Sequence, residues 1–434
     1  MIGSHWKLEC VTCEKTFEAS ERGFRLHCDQ EGHEPAFLRS RYARRLDIEP
    51  AHPGIFRYSN WLPIRRIPRE AGAPGVFLSE RLGRYLGLSR LYVVFNGYWP
   101  EKGATLRTCA FKELEAMSVC ASISEHERRA LVVSSAGNTG KAFLQVCSDN
   151  GMPVIVVVPE SALPDMWITR PKGSNVVLAV LAGNADYADA IALGNRIASL
   201  DQCFPEGGAR NVARRDGMGT ALLRAVESIG EIPEHYFQAV GSGTGGIAAW
   251  EMSRRLLADG RFGTNKMKLH LVQNSPFAIM TAAWQLRLPE VPTLPEDEAR
   301  IRIRQLWASV LSNRNPPYSI RGGVFDALTD TGGHMYSVSN TEAEAAGRLF
   351  EELEGCDLAP AAQVALAGLI RARRAGRIER DELVLLNVTG GGSSMVDRDL
   401  EKHYVKPDIV FHASELGRKP LRARLSELAR SVSR

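Results

Sequence analysis

From residue 130 onward the chain alternates short apolar runs with helical stretches, and small polar or glycine-rich turns mark several of the junctions. ALVVSS (130–135) ends in the turn AGNTG and continues as KAFLQVCSDNG. PVIVVVPE (153–160) and NVVLAVLAG (175–183) follow, the last leading into NADYADAIALGNRIASL with helical spacing. These runs are apolar throughout and do not alternate with polar residues, which is the pattern of strands covered on both faces. A parallel neighbour is reached only by a crossover, and that crossover is right-handed, so strand–helix–strand units of this kind dictate a parallel sheet. A second series begins at HYFQAV, turns through GSGTGG into IAAWEMSRRLLADG, and returns as KLHLVQN. Two helices near 340–354 and 360–376 and the strand ELVLLNV close it. The expected architecture is α/β, with two parallel-sheet domains: a larger one from 46–120 together with 221–434, and a smaller one over 121–220. Residues 1–45, with clustered Cys and His, read as a separate ribbon-like unit. The irregular stretch from 275 to about 340 is a candidate lid or interface, and KPLRARLSELARSV in the tail is expected to form a packed amphipathic helix.

Composition removes several classes of function. Fifty-four Lys and Arg against 50 Asp and Glu leave a formal charge of +4 with no long basic run, so nucleic acid is not an expected partner. A 44% hydrophobic and 24% charged chain of 434 residues is globular, with length for two or three domains. No run of about 18 apolar residues indicates a membrane span, and the N-terminus lacks a basic-then-apolar leader pattern. Eight scattered cysteines suit reduced thiols in the cytoplasm better than a disulfide framework. Only 11 residues are lysines, so chemistry that needs an amine has few candidates.

Six motifs carry chemistry. GSGTGG, running from Gly241 through Ser242, Gly243, Thr244 and Gly245 to Gly246, joins a strand to a helix and lets backbone N–H groups approach a phosphate. It also fits a dinucleotide fingerprint, but the following strand ends in Gln273 and Asn274, where that reading needs an acidic ribose ligand. SSAGNTG, containing Ser135, Ala136, Gly137, Asn138 and Thr139, offers N–H groups and hydroxyls to a carboxylate, or simply caps a helix. Lys112, preceded by Ala110 and Phe111, is either a desolvated nucleophile or a solvated lysine at a helix start. NVTGGGSS places Thr389 at a strand end, where open α/β sheets bind ligands. Cys10, Cys13, Cys28 and His33 have the spacing C-x2-C-x14-C-x4-H, which could hold structural zinc or be a ribbon held by packing alone. EGGARNVARRDGMGT puts Arg210, Arg214 and Arg215 in a Gly-rich loop. With Arg107 they are candidates for binding anions, the alternative being a solvated basic face.

The order of these motifs resembles the fold type II pyridoxal-phosphate enzymes, the tryptophan synthase β-like group. The leading cysteine ribbon is similar to that of the threonine synthase branch. The resemblance spans roughly residues 8–400 and implies a homodimer with pyridoxal 5'-phosphate as cofactor. It implies that Lys112 carries the cofactor, that Asn138 meets its ring hydroxyl and that Gly241–Gly245 cradle its phosphate. Thr389 would face the ring nitrogen, and the backbone of Ser135–Thr139 would take the substrate carboxylate. Within that branch, the stretches EGGARNVARRDGMGT and HYFQAVGSGTGGIAAWEMSRRLL resemble enzymes that replace the phosphate of O-phospho-L-serine with sulfite. The alternatives are threonine synthase chemistry on O-phosphohomoserine or another nucleophile on phosphoserine. From other classes come a nicotinamide-dependent dehydrogenase and a catalytically dead relative; the latter predicts loss of the lysine or the phosphate loop, and both are present. Two departures stand out: Glu113 follows Lys112 where threonine synthases have Asp, and the ribbon lacks a second Cys-x2-Cys.

Overall fold

A computed structural model describes residues 6–20, 22–415, 424 and 428. Most of the tail expected to be an amphipathic helix lies outside the described residues. Two sheets organise the molecule. The five-stranded sheet runs in the order Cys203–Pro205, Ala130–Ser134, Val154–Pro159, Val176–Ala182, Ile409–His412, and every pairing in it is parallel. The six-stranded sheet runs His334–Val338, Lys268–Asn274, His235–Ala239, Val384–Val388, Leu91–Phe95, Gly75–Leu78. It is parallel except for its last strand, which pairs antiparallel at the edge.

The uniform apolar runs are explained by burial: every residue of Val154–Pro159 and Val176–Ala182 is buried, because helices cover both faces. The helices Asn340–Glu354 and Pro360–Arg374 fall where the periodicity predicts them. Sheet membership does not follow chain order at the C-terminal end. Ile409–His412 lies in the five-stranded sheet, beside Val176–Ala182, although the range 221–434 is assigned to the other unit on sequence grounds.

The N-terminal unit is a three-stranded antiparallel ribbon, Thr16–Phe17, Trp6–Cys10, Leu38–Tyr42. It docks on the helix Val212–Ile229. Arg215 of that helix is fully buried, pairs with Glu251 at 2.9 Å, and donates to the carbonyls of Leu38 and Ala209. The Tyr42 hydroxyl donates to Asp216 at 2.8 Å.

Candidate active site

The two sheets present their strand ends to one cavity. Its lining includes Lys112, the turn Ser135–Thr139, the loop Gly241–Gly245 and Thr389. These four motifs are dispersed over about 280 residues, and the topology brings them together.

Lys112 opens the helix Lys112–Ser122. The turn before it is strained and is held by contacts from two sides. Glu113 is buried and folds back to accept from Thr108 N–H at 2.8 Å and the Thr108 hydroxyl at 2.7 Å, while its burial pushes its carboxyl above the ordinary range. Cys109 adopts a left-handed φ of +53°, an unfavourable conformation for a residue with a Cβ. Phe111 N–H donates to the Thr389 carbonyl at 3.0 Å, and Ala110 bridges to Gly390, which ties the lysine's approach to the Thr389 strand end. Burial pushes the Cys109 thiol up to about 12, so it is an apolar wall and no nucleophile.

The Ser135 hydroxyl accepts from Gly137 and Gly140 N–H at 3.0 and 2.8 Å, which folds the turn and opens the helix Asn138–Asn150. Gly243, at φ +82°, caps the 16-residue helix Thr244–Asp259, whose N-terminal N–H groups and dipole face the cavity. A Cβ at Gly243 would lie 2.3 Å from Val324 Cγ2, and one at Gly245 would lie 2.1 Å from Gln238 Nε2, so a side chain at either position must displace a neighbour. Such a cradle suits a phosphate. The donor set therefore fits pyridoxal phosphate: an amine, an anion cradle, and a hydroxyl strand end. The dinucleotide reading finds no support, because Gln273 is buried and accepts from Thr281 N–H at 2.9 Å and Asn274 Nδ2 donates to Asn340 at 3.0 Å.

Of the four arginines, only Arg214 reaches the cavity wall. It is clamped by Glu206, at 2.8 and 2.5 Å, and by Glu115 at 3.1 Å, and those carboxylates hold it firmly in its charged form. Arg107, Arg210 and Arg215 are not brought to the cavity. Arg107 pairs with Asp149, Arg210 meets His27 of the ribbon at 3.2 Å, and Arg215 is buried against Glu251. Sequence reasoning missed Glu115, Tyr187, Val310, Leu311 and Asn313. The last three cover the site from within the irregular stretch, and a Cβ on Gly137 would sit 3.4 Å from Val310. That segment is latched to the N-terminal end of the helix Tyr187–Ala198 by Arg300 to Asp189 at 2.9 Å and Arg314 to Asp186 at 3.1 Å.

In the ribbon, the ligand atoms of Cys10, Cys13, Cys28 and His33 all lie within 4.8 Å of one another. Cys13 and Cys28 sulfurs are 3.6 Å apart, and Cys10 Sγ is 3.8 Å from His33 Nε2. A tetrahedral ion with sulfur ligands at about 2.3 Å spaces them by about 3.8 Å, so the donors fit zinc. His33 Nδ1 is occupied by the Glu34 carbonyl at 2.6 Å, which leaves Nε2 to the cluster.

Residues 99–390 match the family model described as pyridoxal-phosphate dependent enzyme. Maize serine racemase shares the fold at TM-score 0.56 and 13% identity, over 77% of this chain and 93% of that one. The processed form of threonine deaminase isoform 2 from Solanum lycopersicum does so at TM-score 0.52 and 16% identity, over 75% and 81%. The sequence is 47% identical to the cysteate synthase of Methanosarcina acetivorans over 93% of this chain and 96% of that protein. It is 51% identical to that of Methanoculleus marisnigri over 88% of each. The chain belongs to the pyridoxal-phosphate-dependent enzymes and, within them, to the cysteate synthase family.

Proposed function

We propose that this protein converts O-phospho-L-serine and sulfite to L-cysteate and phosphate. Identity of 44–51% to cysteate synthases over about nine-tenths of the chain carries this reading. Pyridoxal phosphate, when bound, supplies the electron sink that makes a substrate Cα proton acidic and lets a group leave from Cβ.

The chain's own residues divide the remaining work. Lys112 would hold the cofactor, and its Nζ is the base that takes the substrate Cα proton and later returns it. The backbone from Ser135 through Ala136 and Gly137 to Thr139 receives the substrate carboxylate, and Asn138 would hold the cofactor at its ring hydroxyl. Gly241, Ser242, Gly243, Thr244 and Gly245 would hold its phosphate at the helix N-terminus. Thr389, at the cavity wall, would meet the cofactor's ring nitrogen with a neutral hydroxyl, a partner suited to chemistry at Cβ. Arg214 is the cation at the wall for the departing phosphate or the arriving sulfite, and its fixed guanidinium supports that role.

The proposal extends to a structural zinc on Cys10, Cys13, Cys28 and His33, supported by their convergence. It extends also to a cytoplasmic homodimer acting in coenzyme M biosynthesis. Among the described residues no helix is long and apolar enough to cross a membrane.

The test is incubation of the cofactor-loaded protein with O-phospho-L-serine and sulfite, reading phosphate release and product mass. Cysteate is expected. Turnover of O-phosphohomoserine with none of phosphoserine would replace this reading with threonine synthase chemistry.

A further inference from the structure

Glu115 lies one helical turn after Lys112, and its carboxylate is sealed from solvent. It meets donors from three elements: it accepts from Lys112 Nζ at 3.2 Å on Oε2 and from the Thr139 hydroxyl at 2.8 Å on Oε1, and Oε1 pairs with the Arg214 guanidinium at 3.1 Å. A buried carboxylate is costly unless it is paired and hydrogen-bonded, and these partners provide two cations and a hydroxyl.

Two of the three donors have other support. Arg214 already holds Glu206 through two hydrogen bonds, and the turn before Thr139 is folded by the Ser135 hydroxyl. Lys112 differs. Its one other hydrogen-bond contact among the described residues is Met218 Sδ at 3.9 Å, so Glu115 is the only oxygen that directs its amine. Because both residues sit on the same helix, the amine's direction does not depend on any loop.

We propose that Glu115 is a positioning residue for Lys112. Its carboxylate stations the free amine between the Ser135–Thr139 turn and the Thr389 strand end, and stabilises it as an ammonium after proton transfer. In that transfer the Cα–H bond breaks, its electron pair stays with the substrate, and the proton forms a new N–H bond on Nζ. The proton returns to Cα when the nucleophile has added. The proton-transfer part rests on the function proposed above; the stationing of the amine does not.

Two variants test it. Glu115→Gln keeps the shape and an acceptor for Thr139 but removes the charge, and Glu115→Asp keeps the charge on a shorter stem. In the cofactor-free full chain, acetylation of Lys112 by acetic anhydride is read by peptide mass spectrometry against the exposed Lys102. Glu115→Gln is expected to raise relative Lys112 labelling several-fold, and Glu115→Asp to stay near wild type. In the loaded enzyme, Glu115→Gln should lower kcat by about tenfold or more with KM for phosphoserine nearly unchanged. The isotope effect from Cα-deuterated phosphoserine should grow, and Glu115→Asp should recover much of the rate.

Unchanged labelling and kcat in Glu115→Gln would overturn the proposal. So would equal losses in both variants with a lowered melting temperature and an unaltered isotope effect, which is the pattern of packing alone. If the wild-type protein turns over no phosphoserine, the function reading fails, and the labelling still decides whether Glu115 stations the amine.

Discussion

Replacing Gly243 with alanine tests the phosphate cradle at its tightest point. The residue has φ +82°, and the left-handed region costs a residue with a Cβ about 1–2 kcal/mol. The added methyl would also lie 2.3 Å from Val324 Cγ2. Val324 is fully buried and β-branched at the start of the helix Val324–Thr331, so it has no free rotamer to swing into. Overpacking of this kind costs roughly 1–3 kcal/mol. The two terms together give about 2–5 kcal/mol. The loss is shared between folding and cofactor binding, because the loop relieves the clash only by leaving the geometry that aims its N–H groups at the phosphate. Gly230→Ala separates strain from clash, since Gly230 has φ +90° with nothing within 4 Å of its Cβ. The assay is a thermal melt with and without pyridoxal phosphate, alongside cofactor affinity from fluorescence titration. Gly243→Ala should melt lower than Gly230→Ala and bind the cofactor more weakly, by roughly 30-fold if about 2 kcal/mol falls on binding. Wild-type affinity together with a melting temperature no lower than that of Gly230→Ala would refute the cradle argument.

Zinc analysis of the purified chain should find one ion per chain, with Cys13→Ser losing it and melting lower; a full-strength melt in that variant would remove the metal from the ribbon. Burial holds the His270 imidazole well below its ordinary value, and His235, 2.8 Å away, is shifted down for the same reason. The unfolded chain therefore binds more protons than the folded one below about pH 6.5, so stability falls as the pH drops from 7 toward 5, by up to ~1.4 kcal/mol per pH unit for each such proton. Melts across that range should show the fall, and His270→Gln should flatten it; an unchanged slope would assign the effect elsewhere. Arg214→Lys keeps the charge but loses the fork that engages Glu206. Steady-state kinetics should show KM for phosphoserine raised by about tenfold, the equivalent of one charge-assisted hydrogen bond.

The strands and glycine turns were legible because each leaves a local mark. Strands buried on both faces must be apolar at every position, and a loop that admits no Cβ must be glycine. Thus Val154–Pro159, Val176–Ala182 and the glycine positions Gly241, Gly243 and Gly245 could be read directly. Charge partners leave no such mark. Glu115 looks like one member of an ordinary solvated pair in KELEA, and only the packing of three helices shows that it is buried. The arginines look alike in sequence, yet Arg107 is taken by Asp149, 42 residues away, and Arg210 by the ribbon. The covering residues Val310, Leu311 and Asn313 come from a stretch without periodicity, so nothing local distinguishes them. The crossing of Ile409–His412 to the five-stranded sheet is a long-range choice that chain order cannot reveal.

The most direct measurement is the visible absorbance spectrum of the cofactor-loaded protein, before and after O-phospho-L-serine and then sulfite. The expected result is a visible band that borohydride removes, that shifts with phosphoserine and returns with sulfite, and that is absent in Lys112→Ala. A band that persists in Lys112→Ala, or no band after pyridoxal phosphate is added to the wild-type protein, would contradict the assignment of this cavity as the cofactor site.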